Sequence, residues 1–329
     1  AMSPWRLSVA PMLDWSDKHG RYLHRLITKK TRLYTEMVTT GGLLHGGERR
    51  HLRYDEVEHP LALQLGGSEP ADLARCAQIG ARWGYDEINL NCGCPSERVQ
   101  RGAFGACLMA EPQLVADGVK AMVDAVDVPV TVKHRIGIDK EESYAFVRDF
   151  VGTVADAGCR VFIVHARNAW LKGLSPKENR EIPPLRYERV YQLKRDFPHL
   201  TIVLNGGVTT DEQIAEHLRH VDGVMLGREA YHHPWMMSGW DARFLGGTPN
   251  PITPDEVEAA MVAYMQRELV EDGTPWSAIA RHMLGLHHGR RGARLWRQVW
   301  SDHKLKPLPA AEVAALARAH LASAAMAVA

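Results

Sequence analysis

The chain has 329 residues, too many for one small domain and suited to a large barrel with an appendage. Its 45% hydrophobic and 24% charged content is globular, which excludes intrinsic disorder and a collagen-like fibre. Forty Lys and Arg against 39 Asp and Glu leave a formal charge of +1, so any nucleic-acid contact must come from a local patch.

Strand-like runs recur at 7–11, 33–36, 61–65, 87–91, 130–133, 161–165, 201–205 and 223–226. Amphipathic stretches lie between most of them, for example 73–81, 113–126, 141–157, 187–197 and 211–218. Strand-helix alternation implies parallel strands with crossover helices. Eight such units in about 240 residues predict an α/β fold, the (β/α)8 TIM barrel. A doubly wound sheet would need fewer strands and a Gly-rich first turn, and no GxGxxG follows a strand here. From Gly246 to Pro254, three prolines and two glycines in nine residues suggest a linker. Helices are predicted beyond it at 255–271, 276–287, 290–301 and 310–326. The expected division is a catalytic barrel over 1–245 and an all-α helical bundle over 250–329.

No apolar run approaches the ~18–20 residues of a membrane span, and no basic stretch followed by an apolar segment opens the chain. Neither a membrane protein nor a secreted precursor is expected. Five cysteines (Cys76, Cys92, Cys94, Cys107, Cys159) are an odd number, which suggests reduced thiols and a cytoplasmic home.

A barrel of this class builds its active site from the carboxyl ends of its strands. Here those ends are Pro11-Met12, Glu36, Gln64, Asn89-Leu90-Asn91, Lys133-His134-Arg135, His165, Asn205-Gly206-Gly207 and Gly227-Arg228. Nearly all can hydrogen-bond or carry charge. The glycines after strands seven and eight would let backbone N–H groups approach a phosphate, and Arg228 could add a bidentate contact. A phosphate there, with Gln64, Lys133 and His165 facing the mouth, suits flavin mononucleotide (FMN). Cys94, after strand four, could be a nucleophile, a metal ligand or a general acid. Cys92-x-Cys94 with a distant Cys107 is a poor zinc pattern, and no metal is expected. A thiol at its reference pKa of about 8.5 is mostly protonated at pH 7 and can donate a proton. The other four cysteines are expected to be small packing residues.

These residues are similar to a known family. Ala10-Pro11-Met12, Leu63-Gln64-Leu65-Gly66-Gly67, Asn89-Leu90-Asn91-Cys92-Gly93-Cys94-Pro95 and Gly105-Ala106-Cys107-Leu108-Met109 resemble the tRNA-dihydrouridine synthases. So do Val132-Lys133-His134-Arg135-Ile136-Gly137, His165-Ala166-Arg167, Asn205-Gly206-Gly207 and Gly227-Arg228. Cys92-Gly93-Cys94-Pro95, the segment from Lys172 to Arg180 and the tail resemble the bacterial A subfamily, which reduces uridines 20 and 20a of the tRNA D-loop.

The resemblance implies FMN held by Pro11, Met12, Leu13, Gln64, Lys133, His165, Asn205, Gly206, Gly207, Gly227 and Arg228. It implies hydride from flavin N5 to uracil C6, a proton from Cys94 to C5, and Asn91 with Arg135 gripping the flipped base. NADPH would reduce the flavin first, alternating with tRNA at one face. Residues 281–306 hold seven Lys and Arg against one acid, Asp302. Arg290, Arg294 and Arg297 would form one helical stripe toward RNA, with Leu295, Trp296, Val299 and Trp300 packed inward. Lys177 and Arg180 would add contacts from the loop after strand six. A monomer is expected. Two other classes stay open: an FMN barrel acting on free pyrimidines, which would not need a basic helical tail, and a non-catalytic RNA-binding barrel, which would not need Cys94 beside a flavin set.

Overall fold

The computed structural model describes residues 2–326, with side chains as far as Leu321. The eight expected strands are present: β1 (Leu7–Val9), β2 (Leu33–Thr39), β3 (Leu61–Gly66), β4 (Glu87–Cys92), β5 (Val130–His134), β6 (Val161–His165), β7 (Thr201–Asn205) and β8 (Gly223–Leu226). All seven ladders are parallel, in the order β1-β8-β7-β6-β5-β4-β3-β2. A Ser8–Arg32 bridge brings β1 against β2 and closes the ring. The fold is a (β/α)8 TIM barrel, with crossover helices such as Pro70–Trp83, Pro112–Ala125 and Tyr144–Asp156.

Period-two alternation decides what fills the barrel. Ala10, Tyr34, Ala62, Val161, Ile163, Val203 and Met225 form one buried cluster, with Trp5 and Met12 against it. The intervening residues, among them Leu63, Ile88, Leu90, Val132, Phe162 and Leu204, are buried as well. A charge sits at the amino-terminal end of β4: Glu87, its first residue, is fully buried. Its carboxylate accepts from Trp5 Nε1 (2.9 Å), Arg32 Nε (2.6 Å), Tyr34 Oη (2.8 Å) and Thr131 Oγ1 (2.5 Å).

The chain divides into two compact units, one of residues 1–16 and Thr31–Gly227, the other of Asp17–Lys30 and residues 228–329. The Gly- and Pro-rich stretch 246–254 lies within the second unit. In that unit Asp17 caps the helix Lys18–Ile27 by accepting from His19 N and Gly20 N, and pairs with Arg281 (2.8 Å) and His282 (2.9 Å). Asp241 accepts from Thr28 Oγ1 (2.7 Å), Lys29 N (2.8 Å) and Lys30 N (3.1 Å). The helix Pro254–Asp272 opens with a capping box between Thr253 and Glu256 and ends at left-handed Gly273.

Two tail helices differ from expectation. The one expected over 276–287 is limited to Ser277–Ala280 followed by a 3-10 turn, Arg281–Met283. The one expected over 290–301 begins only at Ala293, because Gly289 and Gly292 take φ of +79° and +87°, outside the helical region. Arg290 therefore precedes the helix and pairs with Asp255 at 2.7 Å, so it is not part of a three-residue stripe. Leu295, expected to pack inward, is 46% exposed. Trp296 and Trp300 are buried as expected, and both indole N–H groups donate to the buried Glu258 (2.7 and 2.9 Å).

Candidate active site

Parallel register sets polar residues side by side near the carboxyl ends of neighbouring strands. Gln64 pairs with Asn89, Asn91 with Lys133, and His165 with Asn205. Gln64, Asn91, Lys133, His165 and Asn205 thus lie at or near the ends of their strands on the inward side of the alternation.

Cys94 is partly buried in the loop after β4. Asn91 Oδ1 accepts from Gly93 N (3.0 Å) and Cys94 N (2.9 Å), an Asx-type turn that fixes where the chain leaves the strand. On the other side, Cys94 O accepts from Ala106 N (2.9 Å) and Gln100 Nε2 (2.6 Å), while Gln100 Oε1 accepts from Cys107 N (2.9 Å). Gly105 makes this clamp possible: its φ is +76°, and a Cβ there would lie 2.7 Å from Cys94 O. Gln100 and Gly105 are site residues that sequence reasoning missed. The only trace in the sequence was a glycine inside a known motif, and nothing in a lone Gln announces a two-ended clamp.

The electrostatics are those of two cations beside a thiol. Burial pushes the Lys133 ammonium down to about 8, Arg135 adds to that, and Cys94 opposes it. Burial likewise lowers Arg135 to about 9, against the pull of Cys94. His165 lies well below its ordinary value, first through burial and then through Arg135, Lys133, Arg167 and Arg180, so its imidazole is neutral at pH 7. Among the described residues the side chains of Lys133 and His165 have no hydrogen-bond or ion-pair partner. A barrel mouth with an unpartnered ammonium and an unpartnered neutral imidazole is built to meet an electron-rich ligand.

The strand-seven turn supplies a close approach. Gly206 has φ +119°, and a Cβ there would meet His165 Cδ2 at 2.7 Å; Gly207 has φ +68° and faces Leu185. Tyr187 Oη donates to Gly206 O (2.7 Å), and Asn205 Nδ2 donates to Met225 O (3.0 Å). Gly227 is different, since its virtual Cβ meets only Met12 Sδ (3.6 Å) and Ala10 Cβ (3.7 Å), ordinary contacts. Pro11 and Met12 are partly exposed after β1, and Leu13 is 76% exposed.

Arg135 and Asn91, expected at the base, also hold the loops. Arg135 Nε donates to Gly93 O (3.1 Å) and Nη1 to Asn179 O (2.8 Å), which ties the Cys94 loop to the loop after β6. Fully buried Asn179 organises that second loop by accepting from Trp170 N (2.7 Å) and donating to Trp170 O (2.9 Å). Lys177 and Arg180, on either side of it, are exposed. Cys76, Cys92 and Cys159 are buried, and burial pushes all three thiols up.

In the second unit, Arg228 opens the helix Arg228–His232 and is partly buried. Arg294 is exposed and Arg297 partly so. Arg281 and Arg290 are neutralised by Asp17 and Asp255. Arg291, Arg294, Arg297, Lys304 and Lys306 have no ion-pair partner among the described residues.

The dihydrouridine synthase (Dus) family model matches residues 8–321. The chain belongs to the dihydrouridine synthase family. It is similar to the tRNA-dihydrouridine(20/20a) synthase of Salmonella typhimurium (strain LT2), 58% identical over 320 residues, 97% of this chain and 95% of the relative. The protein of the same name from Escherichia coli (strain K12) is 59% identical over 302 residues, 92% of this chain and 87% of its own. That of Vibrio parahaemolyticus is 58% identical over 309 residues, 94% of both chains. No described helix is long and apolar enough to cross a membrane.

Proposed function

We propose that this chain reduces the C5–C6 double bond of uridine in the tRNA D-loop, at positions 20 and 20a, with FMN as resident cofactor and NADPH as reductant. The observation that carries the reading is the barrel mouth of this family member, where a clamped Cys94 shares its space with unpartnered Lys133 and His165. The residues present fit the flavin. Gln64, Lys133, His165 and Asn205 would hold the ring and ribityl chain, with Pro11, Met12 and Leu13 at the rim. Gly206, Gly207 and Gly227 would admit the phosphate, and Arg228 is the guanidinium that chain order puts next to Gly227. When bound, FMN supplies the hydride that goes to uracil C6.

The chain's own residues do the rest. Cys94 gives its thiol proton to C5, so hydride and proton together saturate one double bond. Lys133 opposes negative charge at the edge of the ligand it meets. Arg135 and Asn91 fix the two loops between which a flipped base enters. Lys177 and Arg180 from the barrel, and Arg294 and Arg297 from the helical unit, would hold tRNA phosphates. Purified protein should be yellow and release FMN on denaturation. With NADPH it should restore dihydrouridine at 20 and 20a in tRNA from a strain lacking this gene. Colourless protein that takes up no FMN on titration, or protein that leaves those positions as uridine, overturns the reading.

A further inference from the structure

A continuous line of side chains runs through the barrel from the amino-terminal end of β4 to the mouth. Thr131 Oγ1 touches Glu87 Oε2 (2.5 Å), and Asn89 Nδ2 meets Thr131 Oγ1 (2.8 Å). Gln64 Nε2 meets Asn89 Oδ1 (2.8 Å), and Asn91 Nδ2 meets Gln64 Oε1 (3.2 Å). Asn91 Oδ1 then accepts from the Gly93 and Cys94 amides. Glu87, Asn89 and Thr131 are fully buried and Gln64 nearly so.

The direction of every link follows from the first. Glu87 is the ion-pair partner of Arg32 and already accepts from Trp5 and Tyr34, so toward Thr131 it accepts again and the hydroxyl donates. That hydroxyl can then only accept from Asn89, whose amide must turn its NH2 toward Thr131 and its oxygen toward Gln64. Gln64 must donate to that oxygen, which leaves Gln64 Oε1 for the NH2 of Asn91. Asn91 Oδ1 is thereby aimed at the Gly93 and Cys94 N–H groups. Turned the other way, Asn91 would set an NH2 against two N–H donors and the loop would lose its anchor to β4.

We propose that Glu87 sets, through Thr131 and Asn89, which way the amides of Gln64 and Asn91 face at the mouth. Glu87, Thr131 and Asn89 are then positioning residues for the Cys94 loop. Because Gln64 is assigned to the flavin edge, the inference rests on the proposed function for its catalytic meaning, though not for its geometry.

Thr131→Val keeps the shape and removes the relay, whereas Thr131→Ser keeps the relay. Hydrogen exchange on the flavin-free protein is expected to show the Gly93 and Cys94 amides exchanging on the order of tenfold faster in Thr131→Val, with Thr131→Ser at the wild-type rate. Wild-type protection in Thr131→Val overturns the proposal, as does an equal rise across β6–β8, which would mark general loosening. Should Thr131→Val fail to fold, neutron diffraction of the wild-type chain decides. A deuteron on Gln64 Nε2 pointing at Asn89 Oδ1 is expected, and the opposite amide orientation overturns it. Neither measurement uses flavin, so a protein that binds no FMN would end the functional reading and leave this comparison intact.

Discussion

Cys94 differs from the other thiols in its surroundings. Cys76, Cys92 and Cys159 are buried and their protons are held more tightly than usual, whereas Cys94 is partly exposed beside Lys133 and Arg135. Removing a positioned general acid costs about 10²–10⁴-fold in rate. Cys94→Ala should therefore keep FMN and oxidise NADPH at the wild-type rate, while single-turnover reduction of tRNA uridine falls by that factor. A titration addresses Lys133. Its ammonium is charged below its pKa, which burial holds at about 8, so the attraction for an electron-rich flavin edge is present at pH 7 and lost as pH rises through 8. FMN affinity measured by fluorescence quenching from pH 7 to 9.5 (roughly 1.5 units past that pKa) should fall in the wild type. In Lys133→Met it should be weaker, and the fall centred near 8 should be absent, leaving only the later change that Arg135, held at about 9, contributes.

At the scale of turns and helices, two glycines that look alike in sequence behave differently. Gly206 combines a φ of +119° with a virtual Cβ 2.7 Å from the His165 ring, so Gly206→Ala should cost about 1–3 kcal/mol in urea unfolding and weaken FMN binding. Gly227→Ala meets only ordinary contacts and should stay within about 0.5 kcal/mol of wild type. Strand order, which a sequence can show, points both glycines to a phosphate loop, while the close approach that separates them depends on a ring arriving from another strand. The basic tail illustrates a related limit. Helical spacing predicts a stripe of Arg290, Arg294 and Arg297, yet the positive φ of Gly292 starts the helix late and Asp255 captures Arg290. What remains is Arg294 with Arg297, and the double Ala variant should lower the slope of log tRNA affinity against log salt by about 1.4–1.8, with FMN content unchanged. An unchanged slope would leave these two arginines as solvated surface.

Over the whole molecule, strands were most legible where a short apolar run is closed by a polar residue, as in Val161–His165 and Thr201–Asn205. The chemistry was legible where a residue type is rare at a strand end, as with Cys94 and Lys133. What stayed hidden depends on pairings that residue types do not announce: the local Gln100 clamp, the long-range Glu87 line, and the place of residues 17–30, which join a unit otherwise made of residues 228–329. That last arrangement has a consequence during synthesis. The Lys18–Ile27 helix is among the first segments to leave the ribosome, yet Thr28 waits for Asp241, Lys18 for Glu268 and Asp17 for Arg281. At roughly 5–20 residues per second, the 264 positions separating Asp17 from Arg281 correspond to ~10–50 s of translation. Throughout that interval Leu23 and Ile27, fully buried in the finished protein, lack the partners that arrive with the last third of the chain. Nascent chains stalled before Asp241 should be cut by trypsin at Arg21 and Arg25, and the completed chain, where both are buried, should resist at those positions. Equal resistance in the stalled chains would mean that the helix docks early on something other than its final neighbours.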